Sequence, residues 1–287
     1  MNIQRFLVPS SGKKVSVEKL PTDSTAGVRD ENTGVSMLEK CRSDLADMQD
    51  KLYAQDKWAV LVVLQAMDAA GKDSTIKFVM SGVNPQGCQV VSFKEPSHEE
   101  LDHDFMWRYM RNLPERGRIG IFNRSYYEEV LVVRVHPQLL DKQSLPDPCK
   151  KDVWQRRFED INAVERYLVN NGVVPIKIFL NVSKEEQLKR LLKRLDKPSK
   201  NWKFAESDVV ERALWDDYMR AYDSMLRHTS TKHAPWYVVP ADNKWYTRVA
   251  VAEIITQRMA ELDVKYPEVS KDRQVALRKL RTELAGG

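Results

Sequence analysis

A run of apolar residues followed by a glycine–lysine loop constrains the fold of this 287-residue chain more than any other feature. The run is WAVLVVLQ, residues 58–65, and the loop AMDAAGKD leads from it into a helical pattern at residues 74–81. A strand that is apolar on both faces is typical of the centre of a parallel sheet covered by helices. Gly71 permits close approach to backbone N–H groups at a helix start and Lys72 adds a positive charge, so the segment predicts a phosphate-binding loop. The predicted phosphate-binding residues of this loop are Ala70, Gly71, Lys72, Asp73 and Ser74.

The rest of the chain alternates between strand and helix patterns, which predicts a three-layer α/β fold around a parallel sheet of five strands. The four further strands are predicted at residues 89–93, 119–122, 174–180 and 236–239. Helical patterns lie at residues 35–55, 99–111, 151–171, 184–195, 207–228 and 246–262. Ligands of such folds bind at the carboxyl ends of the strands.

The chain divides into three parts by composition. Residues 1–34 are rich in Ser, Thr, Gly, Pro and charge, which predicts an extended N-terminal arm. Residues 35–265 are predicted to form one domain with a lid at about 184–230, and residues 266–287 a C-terminal tail.

Composition excludes several classes of protein. With 42% hydrophobic and 30% charged residues and a net charge of +5, the chain is typical of a folded, mildly basic globular protein. Its three cysteines, Cys41, Cys88 and Cys149, have no metal-ligand spacing and favour neither disulfides nor zinc. No apolar run approaches the roughly 20 residues of a membrane helix. We therefore expect a soluble, cytoplasmic protein without a membrane partner.

Two carboxylates distinguish the loop from the usual pattern, in which a serine or threonine follows the lysine. Asp73 stands at that place, and Asp68 lies inside the loop. Both would repel a bare polyphosphate unless a divalent cation lay between, and Mg²⁺ prefers one or two carboxylates with phosphate and water ligands. We therefore predict Mg²⁺ at Asp68 and Asp73. A tight turn with a solvated Lys72 is the alternative for the loop, and a favourable interaction with the helix dipole is the alternative for Asp73.

A second group of polar residues follows the strand predicted at 119–122. Asn123 and Arg124 lie at its carboxyl end, and Glu128 follows four residues after Arg124. The planar guanidinium suits phosphate, and Glu128 is suited to a metal or to an arginine. The pattern is similar to the Asp-Arg element of nucleoside monophosphate kinases, in which the arginine bridges the reacting phosphates, with Asn123 in place of the aspartate.

The helical pattern at residues 184–195 separates leucines from cations. Leu188, Leu191, Leu192 and Leu195 share one side. The opposite side carries Lys189, Arg190, Lys193, Arg194 and Lys197. We expect the leucine face to be dry. A solvated surface helix is the alternative, but beside a phosphate-binding loop the pattern favours the lid of a phosphoryl-transfer enzyme.

The segments DAAGKD, FNRSYYE and APWYVVPAD, with the cationic helix, resemble the polyphosphate kinase 2 family and most of all its class III members. The resemblance covers about residues 64–250. It implies a P-loop kinase fold similar to that of thymidylate kinase, with a helical lid. It also implies Mg²⁺-dependent transfer of phosphoryl groups from inorganic polyphosphate to AMP and ADP, giving ADP and ATP. Other classes tend to have Asp where this chain has Asn123, which supports the class III assignment.

The resemblance also implies roles for individual residues. Asp68, Lys72 and Asp73 match the Walker A positions, whereas Asn123, Arg124 and Glu128 match the Walker B region. The predicted catalytic residues are Asp68, Lys72, Arg124 and Glu128. The predicted nucleotide-binding residues are Asp68, Asn123, Arg124, Glu128 and Arg134. The predicted polyphosphate-binding residues of the lid are Lys189, Arg190, Lys193 and Arg194.

Two other functions compete with this interpretation. An ATP-dependent nucleoside monophosphate kinase shares the loop and the arginine, but it should have Ser or Thr after the lysine and a donor pocket for a base. A nucleic-acid-binding protein should interleave cations with stacking aromatics, whereas the cationic helix carries leucine on its other face. We therefore expect no nucleic-acid partner, and we expect a homo-oligomer. The preference between AMP and ADP, or between adenine and guanine, is left open.

Overall fold

The sheet at the centre of the computed structural model has five parallel strands in the order β2-β3-β1-β4-β5. The strands are β1 (Ala59–Ala66), β2 (Cys88–Ser92), β3 (Ile119–Asn123), β4 (Val173–Asn181) and β5 (Trp236–Pro240). All eight residues of β1 are buried, as expected for a central strand with helices on both faces. The predicted parallel five-stranded sheet is confirmed, and each predicted strand overlaps an observed one. The structure describes residues 1–10 and 15–286.

Helices cover the sheet and complete the predicted three-layer α/β architecture. They are α1 (Glu31–Gln55), α2 (Lys72–Val79), α3 (His98–Leu101), α4 (Trp107–Met110), α5 (Val132–Val135), α6 (Gln138–Asp141), α7 (Asp147–Lys150), α8 (Val153–Asn170), α9 (Lys184–Leu195), α10 (Pro198–Asn201), α11 (Ser207–Ala213), α12 (Trp215–Thr229), α13 (Lys244–Ala260) and α14 (Lys271–Ala285). Short 3-10 helices lie at Ile3–Phe6, Val17–Lys19, Pro85–Gly87 and Tyr126–Val130. α13 packs on α1 and contacts α2, while α8 contacts β4 and α12.

Two of the predicted helices are interrupted. The pattern at residues 99–111 forms two short helices, α3 and α4, instead of one. Between them the side chain of Asp104 accepts a hydrogen bond from Met106 N–H at 2.9 Å, which competes with continued helical bonding. The pattern at residues 207–228 is divided at Leu214 into α11 and α12.

α9 has the predicted bounds, but the prediction of a dry leucine face was wrong. Leu191 is buried, whereas Leu188, Leu192 and Leu195 are 41%, 48% and 48% exposed. The helix instead turns the side chain of Arg190 toward the body of the protein, where it is buried against backbone carbonyls. An amphipathic pattern shows that a helix has two faces, but it does not show which face packs.

The N-terminal arm predicted for residues 1–34 packs against the domain. Its buried apolar side chains are Ile3, Phe6, Val8 and Val17. Val8 N–H donates to Trp236 O in β5 at 2.9 Å, and Val17 N–H donates to Asp223 Oδ1 at 2.7 Å. The end of the arm already belongs to α1. Residues 11–14, also part of the predicted arm, lie outside the described residues.

The C-terminal tail predicted at residues 266–287 contains α14, which has no buried residue. The Tyr266 hydroxyl donates to Asp50 Oδ2 at 2.5 Å and so attaches the segment before this helix to α1. Gly287 lies outside the described residues. Across residues 1–10 and 15–286, the structure contains no helix whose length and apolar character would let it span a membrane.

Candidate active site

Two loops meet at the carboxyl edge of the sheet. β1 and β3 are neighbours, with Leu64 beside Asn123, so the loop after β1 and the residues after β3 lie at the same edge. Arg124 N–H donates to Leu64 O at 3.3 Å, which joins the second loop to the first strand. The structure therefore brings together the two groups of residues that the sequence analysis singled out.

The phosphate-binding loop leads directly from β1 into α2. Gly71 has a φ of 110°, a left-handed conformation that glycine adopts without a steric cost, and α2 begins at Lys72. Lys72 is buried, and its ammonium donates to Ala66 O at 2.8 Å. Burial lowers the pKa of Lys72, and the nearby charge of Arg124 lowers it further. The lysine is thus a nearly dry cation that an anion would stabilise.

Arg124 lies between two carboxylates. Its Nη2 donates to Asp68 Oδ1 at 2.8 Å, and its Nη1 is 3.6 Å from Glu128 Oε2. Glu128 raises the pKa of Arg124, and Asp68 adds to the effect against the opposing influence of burial. The guanidinium therefore stays charged and is held in a defined orientation, as recognition of phosphate oxygens requires.

Oxygen atoms suited to a divalent cation line the same crevice. Asp73 Oδ1 accepts from Asn123 Nδ2 at 2.8 Å, and Asn123 Oδ1 is buried without a hydrogen-bond partner among the described residues. Asp68 and Asp73 both face this space. Residues 1–10 and 15–286 contain no cluster of three or more His, Cys, Asp or Glu side chains placed to hold a metal. The donor set fits Mg²⁺, which takes one or two carboxylates and completes its shell with phosphate and water.

The crevice has a volume of about 430 Å³ and is lined mainly by cations. They are Lys72, Lys94, Arg124, Arg190, Lys193, Arg194, Lys200, Lys203 and Lys244. Sequence reasoning missed Lys94, Lys200, Lys203 and Lys244. Lys94 and Lys244 follow the ends of β2 and β5, a position that could have indicated them, while Lys200 and Lys203 lie just after the cationic helix.

The four cations predicted to bind polyphosphate from α9 differ in their positions. Lys193 and Arg194 line the crevice, and Arg194 pairs with Asp208 at 3.2 Å. Lys189 is exposed and lies outside the crevice lining. Arg190 donates to the backbone carbonyls of both the phosphate-binding loop and the segment after β5. Most of its donor capacity is therefore used within the protein, so these four side chains are not equally available to a phosphate.

A second cavity of about 800 Å³ adjoins the crevice, and Arg124 lines both. Its walls combine apolar side chains such as Phe93 and Val132 with polar groups such as Glu128 and His136. The position of Arg134 does not favour the predicted nucleotide contact. This arginine lines neither cavity, and its guanidinium lies 6.0 Å from the centre of the Phe158 ring.

A larger cavity than either of these has no connection with this chemistry. It measures about 1080 Å³, lies between the N-terminal arm and α12, and contains none of the predicted site residues. Volume alone is therefore a poor guide to the site in this protein.

Comparison with known proteins agrees with the geometry. A family model described as polyphosphate kinase 2 matches residues 29–267. The chain is 48% identical over 275 residues to the ADP-polyphosphate phosphotransferase of Rhodopseudomonas palustris, a match that covers 95% of each chain. It is 44% identical over 248 residues to the AMP/ADP-polyphosphate phosphotransferase of Meiothermus ruber, which covers 86% of this chain and 89% of the relative.

Solved structures show the same similarity. The crystal structure of polyphosphate kinase 2 from Arthrobacter aurescens superimposes with a TM-score of 0.87 at 38% sequence identity. The match covers 96% of this chain and 98% of that chain. The expected P-loop kinase fold is thereby confirmed.

Proposed function

Because the chain belongs to the polyphosphate kinase 2 family, we propose that it transfers phosphoryl groups from inorganic polyphosphate to AMP and ADP, giving ADP and ATP. The observation that carries this proposal is the pair of adjoining cavities with Arg124 in the wall of both. One is lined by cations and suits a chain of phosphates, and the other has the mixed lining of a nucleoside site.

The donor binds in the cationic crevice. Polyphosphate has no base to recognise, so its affinity must come from charge, and lysines and arginines from five separate segments converge here. Lys72 lies at the loop end of this crevice and Lys203 belongs to its lid side. A polyanion stabilises the charge of Lys72, which burial disfavours in the free protein.

The acceptor nucleotide places its phosphate at Arg124 and its nucleoside in the second cavity. The cavity volume of about 800 Å³ lies within the range of small-molecule sites. Asp68 and Glu128 keep the guanidinium between the two cavities. Donor and acceptor oxygens can thus approach from opposite sides of one phosphoryl group.

Transfer by in-line displacement then depends on positioning and on neutralising charge. Lys72 and Arg124 grip the transferring phosphoryl group, Asp68 orients Arg124 through the 2.8 Å contact, and Glu128 supports it. Asp68 and Asp73 are the residues that would hold Mg²⁺, which neutralises phosphate charge when it is bound. No covalent enzyme intermediate is required.

The test uses the purified protein with Mg²⁺, polyphosphate and AMP, and nucleotides are separated by anion-exchange chromatography. We expect ADP to form first and ATP to follow. The same reaction is run with ADP, GMP and GDP to define the acceptor range. If polyphosphate is inert while ATP phosphorylates a nucleoside monophosphate, the donor assignment is wrong.

The ATP-dependent kinase alternative has no observation in its favour. Its loop should carry Ser or Thr after the lysine, where this chain has Asp73, and the crevice at the loop is lined mainly by lysine and arginine instead of a surface for a base. A cytoplasmic location and a homo-oligomeric state remain part of the proposal, and size-exclusion chromatography with light scattering tests the latter.

A further inference from the structure

Arg124 has an unusual backbone conformation. Its φ is 66°, in the left-handed region that residues other than glycine rarely adopt. Such a conformation persists only where the surrounding structure determines it, and it is often found at functional sites. The contacts that hold this residue are important because its side chain lies between Asp68 and Glu128 in the proposed active site.

A buried polar cluster, which we call the Glu165 cluster, lies directly behind the turn that carries Arg124 and Glu128. Its members are Tyr126, Tyr127, Glu165, Lys177 and Thr229, and each is at most 1% exposed. Both tyrosine hydroxyls donate to Glu165 Oε1, at 2.9 Å from Tyr126 and 2.7 Å from Tyr127. The two tyrosines belong to the same turn as Glu128. The Glu165 carboxylate therefore holds that turn in place through both hydroxyls.

Lys177 completes the cluster from the middle of β4. Its ammonium donates to Glu165 Oε2 at 2.7 Å, to the Tyr127 hydroxyl at 2.8 Å and to Thr229 O at 2.7 Å. The turn is therefore connected to the sheet through Lys177, to α8 through Glu165 and to α12 through Thr229. Three rigid elements determine its position.

The residue between Arg124 and these tyrosines is held separately. Ser125 is fully buried, and its Oγ accepts from Gln65 Nε2 at 3.0 Å. Gln65 lies in β1, just before the phosphate-binding loop. With Arg124 N–H bonded to Leu64 O, both sides of Arg124 are fixed relative to β1.

Stability alone does not account for a dry lysine–glutamate pair at this place. Burial lowers the pKa of Lys177, which shows the cost of keeping the charge there, and Glu165 only offsets that cost. Well-packed apolar residues at such sites are often equally stable or more stable. Hydrogen bonds, however, are directional, and a fully satisfied network specifies one orientation of the groups that it joins.

We propose that Glu165 and Lys177 are positioning residues for phosphoryl transfer. Acting through Tyr126 and Tyr127, they hold the turn so that Arg124 keeps its left-handed backbone and its guanidinium stays between Asp68 and Glu128. The inference rests on the role of Arg124 in the proposed function. The five cluster side chains do not touch the substrates, because all are buried behind the turn.

The test compares two tyrosine-to-phenylalanine variants. Tyr127→Phe removes the hydroxyl that bonds both Glu165 and Lys177, but it keeps the ring that packs on Trp236 at 4.7 Å between centroids. Tyr246→Phe is the matched control. Tyr246 is equally buried, and its hydroxyl donates to Met1 Sδ at 3.8 Å, outside the Glu165 cluster.

We expect Tyr127→Phe to lower kcat about tenfold while the KM values for polyphosphate and AMP change less than about twofold, since the interaction is needed most in the transition state. Amide hydrogen exchange of residues 124–128 should become faster in Tyr127→Phe and stay unchanged in Tyr246→Phe. Assays well below the Tm of each variant separate this effect from a loss of folded protein.

Each outcome has a distinct meaning. Equal kcat values and equal exchange rates in the two variants would overturn the positioning role. The double variant Tyr126→Phe/Tyr127→Phe, which keeps both rings, provides a second measurement and should lose more activity than Tyr127→Phe. A wild-type protein that does not use polyphosphate would instead refute the proposed function, while the exchange experiment would still report on the turn.

Discussion

The Arg190 guanidinium of α9 lies against the phosphate-binding loop, with its Nη1 2.6 Å from the carbonyl oxygen of Ala70. The same nitrogen is 3.2 Å from Ala69 O, and Nη2 donates to Ala241 O at 2.7 Å and Asp242 O at 2.9 Å. One buried side chain thus joins α9, the loop after β1 and the segment after β5. α9 is therefore attached to the phosphate-binding loop.

Replacing Arg190 with lysine should weaken the connection between these elements. An ammonium is a compact donor and does not reproduce the planar fork that reaches several carbonyls at once. We expect the free energy of unfolding to fall by about 2 kcal/mol, because buried carbonyls lose a charged donor. Urea unfolding measures the change. Lys189→Ala, on the exposed side of the same helix, should change it by less than about 0.5 kcal/mol, and equal values for both variants would contradict the anchoring role.

Lys72→Met should abolish transfer without unfolding the protein. Methionine has a similar length, and it removes a charge that burial already disfavours, as the lowered pKa of Lys72 shows. We expect kcat to fall at least about 100-fold, as for the loss of an electrostatic contact to a transition state. Lys77→Met, on the exposed side of α2, is the control and should retain activity. Substantial transfer by Lys72→Met would remove the loop lysine from the mechanism.

Lys193→Gln should weaken the binding of the donor, polyphosphate, more than the binding of the acceptor, AMP. Lys193 lines the cationic crevice but not the second cavity. We expect the KM for polyphosphate to rise about threefold, the effect of one partly solvated charge, with little change in the KM for AMP. Lys189→Gln is the matched control because Lys189 lies outside the crevice lining. An equal rise in both KM values would contradict a specific role in donor binding and would indicate that α9 is a general structural element.

Lys244 should make polyphosphate binding depend on pH. Burial lowers its pKa to about 8, and the neighbouring charge of Arg190 contributes. The lysine is therefore charged at neutral pH and loses its proton as the pH rises through about 8. Since a polyanion favours the charged form, the KM for polyphosphate should increase over this range.

Lys244→Arg keeps the charge and supplies the comparison. Between pH 7 and pH 9, the KM for polyphosphate should rise about threefold more in the wild type than in Lys244→Arg. The comparison between the two proteins cancels the titration of the phosphates themselves. Parallel curves would show that Lys244 does not contact the donor.

The predictable parts of the structure are those whose residues form a recognisable pattern within one continuous stretch of sequence. The strand at residues 58–65 and the loop with Gly71 and Lys72 are continuous in sequence, and parallel strands deliver their carboxyl ends to one edge. Arg124 could therefore be placed beside Lys72 from the pattern alone. Its contact with Asp68 was not predicted, although the neighbouring positions of β1 and β3 make it possible.

Features that join distant segments were not predictable. Nothing near Lys177 in the sequence indicates that its partner is Glu165 on α8, because the two residues lie in different predicted elements and no pattern pairs them. Likewise, Arg190 looks like one of several equivalent lysines and arginines. Only the packing of α9 shows that it faces inward while Leu192 is exposed.

The N-terminal arm makes its contacts with segments that lie far along the chain. Val17 bonds to Asp223, 206 residues further along, and Val8 bonds to Trp236 of β5. Residues of the arm thus find these native partners only when α12 and β5 have also been made. Contacts of such long sequence separation are formed slowly, so the growing chain must carry the apolar side chains of Ile3 and Phe6 unburied until β5 and α13 are in place.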